Sequence, residues 1–262
     1  MDVELQAVFL DAHERATVRA VLAGQFVPFD FHAVQCGPRV VLYASTDVLA
    51  LTTTGKPIRV GTTPVLAQLL ADHFGCVCAT PRITDAIWAA AAVRILPAPQ
   101  WSPGANIASP IFEAKHSAAI DAQLAGRSGL VATLGKSWAL CARLWPLWTA
   151  NRHRVTYGWP YEKRQPQTYP SATKNADGSP LGGWVIQPPP PAPISEGHND
   201  AHHDYSQTFR AVRRDCRFDG EAADLAELLT GPHAAEVSTD GRLPGARFPG
   251  VPLAPLSTFD AA

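Results

Sequence analysis

A short polar stretch, residues 197–206, holds the densest group of chemically reactive side chains in the sequence. It contains Gly-His-Asn-Asp-Ala-His-His-Asp-Tyr-Ser, with three of the nine histidines. Histidine changes its charge near neutral pH and is also the commonest metal ligand in proteins. The stretch, which three residues separate from a proline-rich run at 188–193, therefore indicates a site for acid–base or metal chemistry.

Acid–base catalysis is the chemistry that these residues favour. A carboxylate beside a histidine fixes the tautomer of the ring and raises its pKa, which suits a general base near neutrality. We expect His198 and Asp204 to form this pair. Ser206 is a candidate nucleophile, because it lies on the same face of an extended segment as Asp204. Lys136, which follows a glycine in an expected turn between strands, is a candidate electrophile or base.

Two other interpretations of the polar stretch are open at this point. His202 and His203 could be surface loop residues, with Asp204 capping backbone amides. Alternatively, His198, His202 and Asp204 could supply three ligands to a catalytic metal ion that keeps one open position. The five cysteines lack the paired spacing of zinc sites, so we expect free buried thiols and neither a bound metal nor another cofactor.

Aromatic residues flank a long irregular stretch, residues 160–183, that is rich in Pro, Gln, Asn and Gly. Segments of this length are usually lids, binding loops or disordered. Trp159 and Trp184 stand at its ends and could stack on a sugar ring or another flat ligand, or pack against the protein itself. This pattern supports an alternative function, a non-catalytic ligand-binding protein that uses the Trp/Tyr-rich loop 157–184.

The composition favours one globular domain spanning residues 1–262. Apolar residues make up 46% of the chain and charged residues 17%, and the net charge is −1 with histidine neutral. This balance supplies a sizeable core and gives no basic surplus for nucleic acid or anionic lipid. The sequence contains neither a window of about 20 apolar residues nor a secretory signal. We therefore expect a cytoplasmic protein with no nucleic-acid or membrane partner.

The hydrophobic pattern predicts an α+β fold, with an N-terminal helical half packed on a mostly antiparallel sheet formed by the C-terminal half. We place the helical half at about 1–126, the strand-rich half at about 127–240 and an irregular tail at 241–262. Thr63 and Pro64 are typical of a helix start. Helices are predicted at 3–24, 63–75, 84–96, 110–126 and 222–229, and strands at 26–34, 39–44, 49–53, 58–60, 130–134, 138–144, 154–157, 184–187 and 205–212.

The second half of the chain resembles an uncharacterised family of bacterial proteins. The shared elements are Tyr157-Gly158-Trp159, Ile186-Gln187-Pro188, His198, Asp204-Tyr205-Ser206 and Arg210. The resemblance implies a shared polar site, with Tyr157, Gln187 and Arg210 as ligand-binding residues, and it carries no established activity. Pro160 and Gln207 stand where the family commonly has histidines, which implies altered or lost chemistry here if those histidines are functional.

The sequence thus predicts a hydrolase with a His/Asp acid–base site around residues 198–206. The expected partner is a small-molecule or oligomeric substrate, and a peptide, a cell-wall fragment and a glycan are all compatible with the pattern. The ligand-binding alternative differs in one measurable respect, since it predicts binding without turnover.

Overall fold

We describe a computed structural model of the chain, which covers residues 10–98, 100, 106–142, 144–146, 154–158, 195–198 and 201–260. Of the side chains in 154–158 and 195–198, only that of Thr156 is described. Two of the predictions, the strand at 184–187 and the irregular stretch at 160–183, lie outside these residues.

The longer helices lie in the first half of the chain. They are α1 (Ala12–Leu22), α2 (Pro64–His73), α3 (Pro81–Ala90) and α4 (Pro110–Leu124), and a short α5 (Leu225–Thr230) comes late in the chain. The helices predicted at 63–75 and 110–126 are confirmed to within two residues at each end. The helix predicted at 222–229 begins only at Leu225, after a strand. The part of the helix predicted at 3–24 that precedes residue 10 lies outside the described residues.

The strands are short, and most contain two to six residues. In chain order they are β1 (Phe31–Cys36), β2 (Val40–Ser45), β3 (Ala50–Leu51), β4 (Ile58–Arg59), β5 (Cys76–Val77), β6 (Val93–Arg94), β7 (Val131–Ala132), β8 (Lys136–Trp138), β9 (Arg154–Gly158), β10 (Ser195–His198), β11 (Val212–Arg213), β12 (Asp215–Phe218) and β13 (Glu221–Asp224).

The largest sheet has six strands, and all of its pairings are antiparallel. Its order is β13-β12-β2-β11-β5, and β1 pairs with β2 along the full length of both strands. The predicted α+β class with a mostly antiparallel sheet is therefore confirmed. The strands of this sheet come from both halves of the chain, because β1, β2 and β5 all precede residue 126.

Helix α3 begins and ends earlier than the predicted helix at 84–96. Thr80 is its N-cap and accepts a hydrogen bond from the amide three residues further on, at 3.1 Å, while Pro81 takes the first helical position. The same Thr-Pro pair starts α2. The helix ends at Ala90 because β6 pairs in parallel with β7, which draws the following residues into extended structure.

A second sheet of three strands has the order β10-β9-β8. Lys136, at the start of β8, aligns with Gly158 at the end of β9. In β10, His198 aligns with Arg154 at the beginning of β9. The backbone register therefore places His198 and Lys136 at opposite ends of this sheet, two strands apart.

Lys136 opens a strand, although the sequence placed it in a turn before a strand at 138–144. Its amide donates to the carbonyl of Ser206 at 2.7 Å, and its carbonyl accepts from the amide of Thr208 at 3.0 Å. The other edge of β8 pairs with β9. Partners on both edges explain why extended structure starts earlier than the local pattern predicts.

The strand predicted at 205–212 is present only in part. The chain first makes a tight turn, in which the Gln207 amide donates to the Asp204 carbonyl at 3.1 Å and the Asp204 amide donates to the Gln207 side chain at 2.8 Å. Single bridges follow at Gln207 and Thr208, and regular pairing starts at Val212. The turn carries the Asp204 side chain into the interior of the protein, where its residue is 4% exposed.

The core joins the helices to the sheets, and Leu42, Leu66, Ile83 and Phe248 are among its fully buried side chains. All five cysteines lie in the described part of the chain, are buried and form no disulfide, as predicted. Within the same part, no helix combines the length and the apolar character that a bilayer crossing requires.

Replacing Thr63 by alanine is expected to lower the free energy of unfolding by about 2 kcal/mol. The Thr63 hydroxyl accepts from the Leu66 amide at 3.1 Å and donates to the Glu14 carboxyl group of α1 at 2.5 Å, so alanine removes a helix cap and the donor of a buried acceptor. Urea denaturation measures the change. Thr63→Ser keeps the hydroxyl and loses one buried methyl group, so it should cost only about 1 kcal/mol. Equal losses in both variants would contradict this account.

Candidate functional site

The segment 204–208 is hydrogen-bonded to other parts of the chain along both of its edges. On one edge the Thr62 amide donates to the Gln207 carbonyl at 2.7 Å. On the other edge the Lys136 amide donates to the Ser206 carbonyl, also at 2.7 Å. These bonds fix the backbone of the polar segment between two elements that are distant in sequence.

Two glycines allow this close packing. A Cβ atom on Gly61 would overlap the carbonyl oxygen of Asp204, and a Cβ atom on Gly135 would lie 2.5 Å from the carbonyl oxygen of Ser206. Any larger residue at either position would push the segment away. Glycine at both positions therefore sets the position of the Asp204 carboxylate.

The Asp204 carboxylate is buried and held by specific donors. Its Oδ1 accepts from the Ser206 amide at 2.7 Å and from the Ser206 hydroxyl at 2.5 Å, and its Oδ2 lies 3.8 Å from Nζ of Lys136. Burial alone would raise the pKa of this carboxyl group, but the Lys136 ammonium and the Ser206 donors outweigh burial and hold the pKa below 3.8. Asp204 is therefore a fixed negative charge in the interior at neutral pH.

Two histidines lie in the electrostatic field of Asp204. His116 on α4 is fully buried, and its ring centroid is 5.0 Å from that of Tyr205. Burial lowers the pKa of His116 to about 4, against the opposing effect of Asp204. Burial also lowers the pKa of the half-buried His202, again against the effect of Asp204. Both rings are thus uncharged near neutral pH.

A histidine–carboxylate pair that the sequence analysis missed lies beside this centre. Nε2 of His13 on α1 donates to Oε1 of Glu113 on α4 at 3.0 Å, and the Gly61 amide donates to the same oxygen at 2.6 Å. Glu113 is buried, whereas the His13 side chain is 20% exposed. The hydrogen bond to Glu113 raises the pKa of His13 above 6.5, although burial opposes the change.

His203 connects the two groups of side chains. Its ring stacks on that of His13, with centroids 5.8 Å apart and planes 6° apart. Its Nε2 is buried and has no hydrogen-bond partner among the described residues. Glu14 lies close enough for His203 to influence its carboxyl group, whose pKa is raised chiefly by burial. The interior between α1, α4 and the polar segment is therefore rich in titratable groups.

A local signal for part of this arrangement was present in the sequence. Glu113 and His116 are three residues apart on α4, a spacing that places both side chains on one face of a helix. In the structure Glu113 meets His13, and His116 lies beside Tyr205 and Asp204. The partner His13 has no comparable signal, since it is 100 residues away from Glu113 in sequence.

The structure gives less information on the other site residues proposed from the sequence. His198 and Tyr157 belong to strands β10 and β9, and the structure describes only their backbone. Trp159, Trp184 and Gln187 lie outside the described residues. Their roles in catalysis and ligand binding stay predictions.

Arg210 is buried and hydrogen-bonds to backbone carbonyl groups. Its guanidinium donates to the carbonyl of Ser45 and, at 2.8 Å, to that of Val131, so it joins the end of β2 to β7. Burial lowers the pKa of Arg210 to about 10. A regular strand from Asp204 would place Arg210 on the same face as Asp204, but the turn at 204–207 breaks that alternation.

Across the described ranges, no three His, Cys, Asp or Glu side chains converge closely enough to hold a metal ion. The side chain of His198, one of the three possible ligands in the sequence, is not among those described. The donors around Asp204 are instead a hydroxyl, an amide and an ammonium group. The chemistry that this set supports is proton transfer and charge stabilisation.

Comparisons with known proteins add nothing to this description. No protein-family model matches the chain, no curated protein is significantly similar to it, and no solved structure shares its fold at a significant level. The functional argument therefore depends on the site itself.

Proposed function

We propose that the protein is a hydrolase that performs acid–base catalysis around Asp204 on a peptide, a cell-wall fragment or a glycan. The observation that supports this most is the buried Asp204 carboxylate, 3.8 Å from the Lys136 ammonium, with uncharged histidines in its field. Titratable groups packed together with perturbed pKa values are typical of catalytic centres.

In this proposal Asp204 supports a general base. The base takes a proton from water, the water oxygen attacks the scissile carbon, and the leaving group receives a proton from a general acid. The sequence favours His198 as the base, but the strand register places its backbone at the opposite end of the three-stranded sheet from Lys136. His202 is the second candidate because it is uncharged at neutral pH and lies in the field of Asp204. Lys136 stabilises the negative charge that develops on the substrate.

Ser206 has a positioning role in the proposal, although the sequence made it a candidate nucleophile. Its hydroxyl donates to Asp204 at 2.5 Å, and the residue is 1% exposed. A hydroxyl that is buried and already donating to a carboxylate is better suited to fixing that carboxylate than to attacking a substrate.

The proposal includes a cytoplasmic location and no nucleic-acid partner. The net charge of −1 supports the second point, because nucleic-acid binding depends on a surplus of basic side chains. The exposed arginines Arg39, Arg213 and Arg214 are each paired with an aspartate, which removes much of their attraction for phosphate.

Asp204→Asn is expected to reduce turnover by about a hundredfold or more. The substitution keeps the size of the side chain and removes the charge on which the base and Lys136 depend. Turnover is measured by mass spectrometry on three panels of substrates, which contain peptides, muropeptides and oligosaccharides. Asp219→Asn is the matched control, since Asp219 is exposed and pairs with Arg39 at the surface; it should retain full turnover.

His198→Ala and His202→Ala, assayed beside these variants, identify the general base. Loss of turnover in only one of them assigns the role to that residue. Wild-type protein that cleaves none of the three panels would overturn the proposal. Tight binding of a panel member without cleavage would support the ligand-binding alternative.

A further inference from the structure

One histidine of α1 lies against the polar segment. His13 stacks on His203 and is bonded to the carboxylate of Glu113. His203 directly precedes Asp204 in the chain, so the His13 ring lies beside the segment that carries the Asp204 carboxylate.

The geometry of the His13–Glu113 pair favours the protonated form of His13. Glu113 is 2% exposed in its side chain, and its Oε1 also accepts from the Gly61 amide at 2.6 Å, so the carboxylate is fixed before it meets the histidine. Nε2 of His13 donates to this fixed oxygen, which directs Nδ1 away from Glu113. The ring is 20% exposed and is thus within reach of solvent.

The same glycine links this pair to the Asp204 centre. The Gly61 amide donates to Glu113, while its Cα packs so closely on the Asp204 carbonyl that a Cβ atom would overlap it. Gly61 therefore contacts both the Glu113 side chain and the backbone of Asp204.

We propose that His13, positioned by Glu113, is the general acid of the centre. This inference rests on the proposed hydrolase function. A general acid must hold its proton at the working pH, and a histidine bonded to a fixed carboxylate meets this condition. The hydrogen bond to Glu113 raises the pKa of His13, although burial opposes the change.

The proton balance of the proposed step is simple. The general base accepts a proton from water as the water oxygen bonds to the scissile carbon. Nδ1 of His13 gives its proton to the leaving nitrogen or oxygen as the bond from carbon to that atom breaks. Exchange with solvent then removes the proton from the general base and restores one to His13.

The groups that face His13 come from three parts of the chain. Asp11 and Glu14 belong to the start of α1, Glu113 belongs to α4, and His203 belongs to the polar segment. The three carboxyl groups all favour the charged form of His13. The sign of the expected pH effect therefore does not depend on Glu113 alone, but Glu113 has the largest influence.

The pH dependence of turnover tests the assignment, on whichever substrate panel the wild-type protein cleaves. The rate should fall as the pH rises through the pKa of His13, above 6.5. Glu113→Gln keeps an oxygen for the Gly61 amide and should move this descending limb towards lower pH. Glu227→Gln, at an exposed position on α5, is the matched control and should leave the descending limb unchanged.

The titration of the His13 ring, followed by NMR in the wild type and in Glu113→Gln, gives a second measurement that needs no substrate. Its midpoint should lie above 6.5 in the wild type and should fall in the variant. A normal midpoint in the wild type would overturn the inference. So would full turnover in a folded His13→Asn variant, while the hydrolase proposal would survive. Absence of turnover in the wild type would overturn both.

Discussion

The Asp204→Leu variant is expected to lose about 3–5 kcal/mol of its free energy of unfolding. Leucine removes the acceptor of two hydrogen bonds from Ser206, at 2.5 and 2.7 Å, and the carboxylate that faces the Lys136 ammonium at 3.8 Å. Donors that stay in the interior after their acceptor is removed cost more than the original contacts contributed. Urea denaturation at pH 7, followed by tryptophan fluorescence, measures the loss.

Three further variants isolate the cause of this loss. Asp204→Asn keeps an oxygen for the Ser206 amide and should lose only about 1–2 kcal/mol. The double variant Asp204→Leu/Lys136→Met should recover part of the stability, because it also removes the buried cation. Asp30→Leu, at an exposed position, should stay within about 0.5 kcal/mol of the wild type. An Asp204→Leu loss no greater than that of Asp30→Leu would show that the carboxylate does not hold the segment.

The helices were the most predictable part of the fold, because their start signals are local. Thr63 and Pro64 act as cap and first residue of α2, as their order in the sequence predicts. The same signal, Thr80 followed by Pro81, marks the start of α3, three residues before the predicted start at 84. Local chemistry sets these boundaries, so they can be found without knowledge of distant contacts.

The strands were predicted less well, because their extent depends on partners that are distant in sequence. Lys136 is extended because it has hydrogen-bonding partners on both edges, in 206–208 and in β9. The segment that follows Asp204 was predicted as a strand, but the bonds between Asp204 and Gln207 make a turn first. Periodicity alone cannot report either of these contacts.

The same distinction between local and distant contacts applies to the candidate site. Asp204 and Ser206 are close in sequence, and the structure joins them by hydrogen bonds. Lys136, chosen for its place after Gly135, does lie beside Asp204. The pairing of His13 with Glu113 spans 100 residues and depends on how α1 and α4 pack, so no spacing in the sequence could indicate it.

The titration of His116 is expected to lower the free energy of unfolding by about 3 kcal/mol as the pH falls from 6.5 to 4. Burial lowers the pKa of His116 from 6.5 in the unfolded chain to about 4 in the folded protein. Between pH 4 and pH 6.5 the folded state therefore binds fewer protons than the unfolded chain. The contribution of the uncharged His116 ring to stability is complete above pH 6.5. It is lost as the pH falls towards the folded-state value, because the unfolded chain gains the proton first.

His116→Gln removes the titrating ring and keeps a polar side chain of similar length in the buried position. Its free energy of unfolding, measured by urea denaturation across the same pH range, should fall by about 3 kcal/mol less than that of the wild type. His202, whose pKa burial also lowers, contributes in the same direction, so some acid sensitivity should persist in the variant. His233→Gln, at an exposed position, should follow the wild-type curve. If the His116→Gln and wild-type curves ran parallel from pH 6.5 to pH 4, the His116 ring would have to carry its proton inside the folded protein, and it would then be a charged partner of Asp204.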